Sequence, residues 1–309
     1  MRPFLRNFFF YTLSVIGLYA LLSVLVFSLV ETPVTSYNAA AVDKKARLME
    51  LDSPKIVLVA GSNFAFGIDS ELIETQTGYP VVNLGLHAGV GYKFYAEMAK
   101  NNLNEGDIVV IGFEYDLYNG LMDIESVLHT LEIDWTLAQD LAPETWATVA
   151  AGFPQYTFNR AINTLLGKRL TYEGVYSRAS FNAYGDIAVD RPTNIMTNAA
   201  RDAWVTIDPS LVTTHFINYF KAYKTYVEAK GATLVFTFAS LDELNLDPNS
   251  DIDGFVDQLK PLGIPLLHTP QELVYPDAYF YDTHYHLNTA GVAIRTQSLI
   301  DRLLPYVNP

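Results

Sequence analysis

The chain opens with a long uninterrupted apolar stretch. From Phe8 to Val30, FFFYTLSVIGLYALLSVLVFSLV, no residue carries a charge. As a helix the stretch would rise roughly 34 Å, enough to cross a hydrocarbon core of about 30 Å. Arg2 and Arg6 precede it and Glu31 follows it, an asymmetry that predicts a cytoplasmic N-terminus and an extracytoplasmic remainder. The apolar core of a secretory signal peptide is shorter, about 7–15 residues, and is followed by a small-residue cleavage motif. No such motif follows here, so residues 1–30 are expected to form a cytoplasmic tip and an uncleaved transmembrane anchor. Residues 31–52 then read as a linker: Glu31-Thr-Pro-Val-Thr-Ser-Tyr-Asn is polar and broken by proline. Ala39 to Leu51 is expected to be a short juxtamembrane helix, with Lys44, Lys45 and Arg47 on a solvated face near the lipid surface.

From Lys55 onward, short apolar runs alternate with helical periodicity. Ile56–Ala60, Pro80–Leu84 and Ile108–Ile111 read as buried strands. Between them, residues 70–77 and 92–102 read as helices, the first with Asp69 or Ser70 near its N-cap and Gly78 past its end. The same grammar returns late in the chain, with helices over 216–230, 252–262 and 289–304 and strands over 233–238 and 264–267. A β-α-β-α-β succession implies a parallel sheet with crossover helices. The expected fold class is therefore α/β: a doubly wound, mainly parallel sheet of about five strands in a three-layer domain over residues 53–309. A helical insertion at about 119–213 interrupts it, with helices over 124–141 and 144–152 and an irregular stretch over 170–197. Ligands of such sheets bind beyond the carboxyl ends of the strands, where an insertion can shape a pocket.

Composition narrows the function classes. The chain has 309 residues, 50% hydrophobic, enough for a substantial core, and no cysteine, which excludes disulfides, thiolate metal sites and cysteine nucleophiles. The net charge of −14 offers no basic stripe for phosphates, so no nucleic-acid partner is expected.

The candidate chemistry starts at Ser62, in Ala60-Gly61-Ser62-Asn63 at the exit of the first strand. A serine becomes a nucleophile when a neighbouring base takes its proton, a third group orients the base and donors face the oxyanion. The amide of Ser62 or Asn63 is placed for that last role. Asp282 and His286 lie before the last helix, in Tyr281-Asp-Thr-His-Tyr-His-Leu-Asn288, and Asn288 or Thr289 is expected to cap that helix. His284 competes with His286 as the base. A metal would need further ligands, which His87 and His268 supply only by residue type, so no metal and no other cofactor is expected.

Ser62 and its neighbours, with Phe66-Gly67-Ile68-Asp69, Asn83-Leu84-Gly85-Leu86-His87-Ala88-Gly89, Gly112-Phe113-Glu114 and Asp282 through Gly291, fall in the order of the blocks of the SGNH (GDSL-type) hydrolases, which the sequence resembles over about residues 52–118 and 230–305. The resemblance is closest to membrane-anchored SGNH-like proteins that accompany acyl transfer to cell-surface polymers. It implies a flavodoxin-like three-layer fold, a Ser62–His286–Asp282 triad and an oxyanion amide from Gly89 or Gly85. It also implies esterase or O-acyltransferase chemistry on a surface glycan, with an acyl-donor or other membrane protein as partner. The chain departs from the family pattern in three places. Its first block reads Ala-Gly-Ser where Gly-Asp-Ser is common, and Asp282 precedes His286 by four residues where three is usual. Glu114 occupies the place of an asparagine that donates to the oxyanion, and an ionised carboxylate only accepts. A catalytically weak or inactive binding partner in an envelope polysaccharide complex is the alternative this substitution raises.

Overall fold

The computed structural model describes residues 2–168 and 172–307. It begins with helix α1 (Arg2–Leu29), which is long and apolar enough to cross a membrane and almost wholly exposed. The chain then does not cross open solvent. Tyr37–Ala39 makes a 3-10 turn into α2 (Ala40–Glu50), and Ala39, Ala40, Ala41 and Leu48 are buried against the rest of the protein. The lysines expected at the lipid surface are turned inward. Buried Lys44 donates to the carbonyls of Asn83 and Gly185, Lys45 pairs with Asp140 at 2.7 Å, and Arg47 donates to the Val81 carbonyl. Small alanines let α2 approach the domain closely, so a segment with no strong apolar stripe becomes part of the core.

The central sheet has four strands: β1 (Ile56–Val59), β2 (Val81–Asn83), β3 (Ile108–Ile111) and β4 (Thr233–Phe236), in the order β2-β1-β3-β4 with every pairing parallel. Successive side chains of a strand point to opposite faces, and both faces are covered. Val57, Val59, Val109, Ile111 and Phe236 face a core with α5 (Tyr92–Ala99) and α9 (Thr214–Ala229). Ile56, Leu58, Ile108, Val110 and Val235 face α4 (Ser70–Thr77) and α11 (Thr289–Leu303). This double burial is why the strands are continuous apolar runs rather than alternating ones.

The expected fifth strand is reduced to a single bridge. Leu266 pairs with Phe236 through two backbone hydrogen bonds. Gly263, at φ 58°, turns the chain just before it, and Pro265 has no N–H to extend a ladder. A second, two-stranded parallel sheet, β5 (Leu241–Asp242) with β6 (Val274–Tyr275), lies beyond β4. Between them α10 (Ile252–Leu259) buries Phe255 and Leu259.

In the insertion, the helix expected over 124–141 divides. α6 (Ile124–Ile133) stops at Asp134, whose carboxylate accepts from the Thr136 amide and opens a 3-10 segment. The next helix is longer than expected: α7 (Trp146–Leu165) runs through Pro154. Short α3 (Ser62–Gly67) and α8 (Asn198–Arg201) complete the helices used below.

One buried ion pair ties the sheet's amino edge together. Lys55 Nζ lies 2.8 Å from Asp107 Oδ2, both side chains fully buried, and the same carboxylate accepts from the Lys55 and Asn104 amides. Removing one partner strands a buried charge. Asp107→Ala is expected to cost about 3–5 kcal/mol, read as a shifted urea midpoint of the full chain in detergent.

Candidate active site

Three backbone segments meet at the carboxyl edge of the sheet. β1 leads through Ala60 and Gly61 into α3, whose first residue is Ser62. A side chain at position 61 would lie 2.2 Å from Glu114 Oε2, so only glycine admits the carboxylate that follows β3. The loop before α11 supplies Asp282 and His286. It is closed by a bridge between Phe280 and Leu287 and by hydrogen bonds from the His286 amide to Thr283 and from the Tyr281 amide to the His286 carbonyl. Asn288 caps α11, accepting from the amides of Ala290 and Gly291 while donating to the Ala278 carbonyl.

These segments bring Ser62, His286 and Asp282 into one relay. His286 Nε2 is 2.8 Å from Ser62 Oγ, and its Nδ1 is 2.8 Å from Asp282 Oδ1. An ionised carboxylate only accepts, so Nδ1 carries the proton and Nε2 presents its lone pair to the serine hydroxyl. His284 does not join this relay. Its carbonyl accepts from the Asp242 amide, its Nδ1 is buried without a partner among the described residues, and burial pushes its imidazole down to about 4.

Two aromatic neighbours of His286 were given no role by the sequence. Phe66, on α3, stacks face to face on the imidazole, with ring centroids 3.9 Å apart and planes 3° apart. Arg191 lies over the other face of Phe66, 5.2 Å from its centroid, and donates to the carbonyls of Phe66, Ile187, Val189 and Leu287. Tyr176, from the insertion, donates its hydroxyl to Asp282 Oδ2 at 2.5 Å. Burial pushes the Asp282 carboxyl upward, but the hydrogen bond and charge of His286, with the Tyr176 hydroxyl, outweigh it and hold the carboxyl below its usual range. Burial, then the bond to Asp282, raises the Tyr176 phenol.

The expected oxyanion donors are already engaged within the protein. The Gly89 amide donates to His87 Nδ1 at 3.0 Å, and the Gly85 amide to Asn83 Oδ1 at 2.9 Å. The Asn63 amide donates to Glu114 Oε1 at 2.8 Å, and the Asn63 side chain donates to the Gly112 carbonyl. The Ser62 amide, first in α3, has no intrahelical acceptor by its position, and Gly61 has no side chain to cap it. Glu114 is buried beside the serine, with Oε1 at 3.3 Å from Ser62 Oγ and Oε2 without a partner among the described residues. Burial raises its carboxyl, against hydrogen bonds from Asn63 and the charge of His286. In its ionised form Glu114 competes with His286 for the serine hydroxyl and repels an oxyanion. In its protonated form it offers an O–H.

No group of three or more metal-ligating side chains is present among the described residues. His268 is held instead between Thr237 and Ser298. No protein-family model matches the chain, and no curated protein matches it.

Glu114 gives the site a readable pH signature. A carboxyl held above its unfolded range contributes stability at low pH that is lost as pH rises through its folded titration. Glu114→Gln keeps the neutral shape and removes that loss. Its stability relative to wild type should grow as pH rises from the unfolded carboxyl range and then level off. Denaturant melts of both proteins between acidic and neutral pH measure this, and a constant offset would show that Glu114 is not the group responsible.

Proposed function

We propose that this chain is a membrane-anchored, extracytoplasmic SGNH-like esterase or O-acyltransferase that acts on acyl esters of a cell-surface glycan or polymer. The observation that carries the reading is the relay of two 2.8 Å contacts, Ser62 to His286 and His286 to Asp282. In this reading Ser62 Oγ attacks the acyl carbonyl carbon as its proton passes to His286 Nε2. The tetrahedral intermediate collapses, the ester alcohol leaves with that proton, and the acyl group stays on Ser62. Water or a glycan hydroxyl then attacks the acyl-serine, giving its proton to His286, which returns it to Ser62. Asp282 steadies the imidazolium, and Phe66 and Tyr176 fix the planes of base and carboxylate.

A tether motivates a polymeric or membrane-borne substrate, because a diffusing metabolite needs none. Acyl delivery by a membrane-protein partner fits the same placement. In this proposal α1 crosses the membrane once, with Arg2 and Arg6 inside. A reporter enzyme fused after Pro309 should be active only outside the cytoplasm.

Glu114 favours a second reading, a non-catalytic module that uses the same cleft to bind an envelope polysaccharide complex. The two readings part under a fluorophosphonate serine probe and a short-chain aryl acetate. As an enzyme, the wild-type chain labels and turns over, and Ser62→Ala and His286→Ala each lose several orders of magnitude. As a binding module, wild type and Ser62→Ala are equally unlabelled.

Tyr176 is a positioning residue in the enzymatic reading. Losing a hydrogen bond to a charged group is worth about 1.5–3 kcal/mol. Tyr176→Phe should therefore lower the turnover of aryl acetate by roughly ten- to a hundredfold with KM little changed. A rise in KM alone would instead make Tyr176 a substrate contact.

A further inference from the structure

Helix α7 presents an apolar stripe that none of the described residues covers. Ala147, Ala151, Pro154, Phe158, Ile162 and Leu165 recur at helical spacing along its outer face, and all are exposed. The exposure is greatest at the C-terminal end, 61% for Phe158, 81% for Leu165 and 66% for the following Leu166. A soluble protein rarely leaves so continuous an apolar face to water.

The position of α7 indicates what covers the stripe. The helix packs along α1. Phe27 stacks on Phe153 and Tyr156 and meets the edge of Trp135, and the Tyr19 hydroxyl donates to Thr157 Oγ1 at 3.3 Å. Tyr19 lies roughly 15 Å along the α1 axis from Leu29, about half the thickness of a hydrocarbon core. Thr157 therefore stands beside the apolar part of α1, while Arg160 reaches the Glu31 carbonyl just past the outer end of that helix, which sets the C-terminal half of α7 at the level of the outer leaflet. An apolar groove of about 670 Å³ between the two helices, floored by Tyr19, Ser23, Phe27 and Phe153, opens at the same level.

Several polar groups of α7 turn to partners within the protein, as hydrocarbon would require of them. Arg160 is the helix's one charged residue. It turns inward to pair with Glu132 at 2.7 Å and to donate to the Glu31 carbonyl. The Tyr156 hydroxyl donates to the same Glu132 carboxylate. Thr157 and Thr164 each donate back to a carbonyl one turn earlier, and Gln155 donates to Asn159. Trp135 and Trp146, both half exposed, stand toward the outer end, where indoles favour the lipid interface.

We propose that α7 is a second membrane-embedded element, with its apolar stripe among the acyl chains of the outer leaflet beside α1. The partner of this surface is the bilayer itself, and the domain rests on the membrane instead of standing off from it. The inference rests on the reading that α1 crosses the bilayer.

The absence of cysteine allows a direct test on the full chain in phosphatidylcholine liposomes. Single cysteines at Phe158, Leu165, Leu18 in α1 and exposed Lys221 in α9 are labelled with an environment-sensitive fluorophore. Doxyl-labelled lipids and aqueous iodide then serve as quenchers. The proposal expects F158C and L165C to lose emission to doxyl lipids as L18C does and to resist iodide, while K221C shows the reverse. Iodide quenching at 158 and 165 with lipid quenching kept at 18 would overturn the seating of α7 and leave the anchor intact. Iodide quenching at position 18 would overturn the anchor and the seating together.

Discussion

The hydrogen bond from Ser62 to His286 joins positions 224 apart in sequence, and the rest of the site depends on its being made. Neither residue could hold it alone. Ser62 is fixed because β1 is a buried inner strand, hydrogen-bonded on both sides, that delivers the chain into α3 at one height. His286 is fixed because α11 packs under the opposite face of the sheet and Asn288 closes its N-terminus onto the 278–280 segment. The imidazole is then clamped in plane by Phe66, which α3 carries four residues after the serine. One helical turn thus supplies both the hydroxyl and the surface that orients its base, so a shift of α3 moves the two together.

The same closeness creates the site's internal conflict. Glu114 reaches Ser62 only because Gly61 has no side chain, and Oε1 takes the Asn63 amide that would otherwise face the cleft. A carboxylate in this place weakens the serine's bond to its base. A carboxylic acid there adds a donor. Burial favours the acid, while Asn63 and His286 favour the anion. In the enzymatic reading, a donor for an oxyanion comes either from protonation of Glu114 or from release of the Gly89 amide by His87, and each alters a group already in hydrogen-bond contact.

Much of this was legible in the chain, and the failures have physical causes. The buried strands read directly, because parallel strands covered on both faces are short apolar runs. The caps were read to within one residue, Asp69 or Ser70 and Asn288 or Thr289, from short polar side chains ahead of helical periodicity, and the structure has Asp69 and Asn288 in those places. Ser62, Asp282 and His286 could be named from local motifs, although the hydrogen bonds that join them depend on topology. The helix expected over 39–51 is present as α2, but its face was misread as solvated, since the burial of α2 comes from alanines and inward-turned lysines, which carry no apolar signal. The length of α7 was hidden by Pro154 and by an apolar face directed away from the core. The roles of Tyr176 and Phe66 were not legible, because one is an aromatic in an irregular insertion and the other only a member of a motif block until the fold sets them against His286.

In the proposed topology, the burial of residues 31–50 also changes what an anchor does. Ser36 pairs with Ser177, next to Tyr176, and the Tyr37 ring packs against Phe66, Tyr176 and Phe181. The chain that leaves α1 therefore enters the packing around His286 with no free tether between. The segment from Val30 to Tyr37 spans at most about 25 Å fully extended, and here it is folded through turns. A flexible linker would let the serine sample a wide shell above the bilayer, at an effective concentration set by its length. This connection holds it at one height, with the Tyr176 clamp and the anchor on the same side of the domain. In the proposed esterase reading, an ester that reaches Ser62 must then be presented close to the membrane surface, which favours a lipid-borne or membrane-protein-borne acyl group over the distal end of a long polymer.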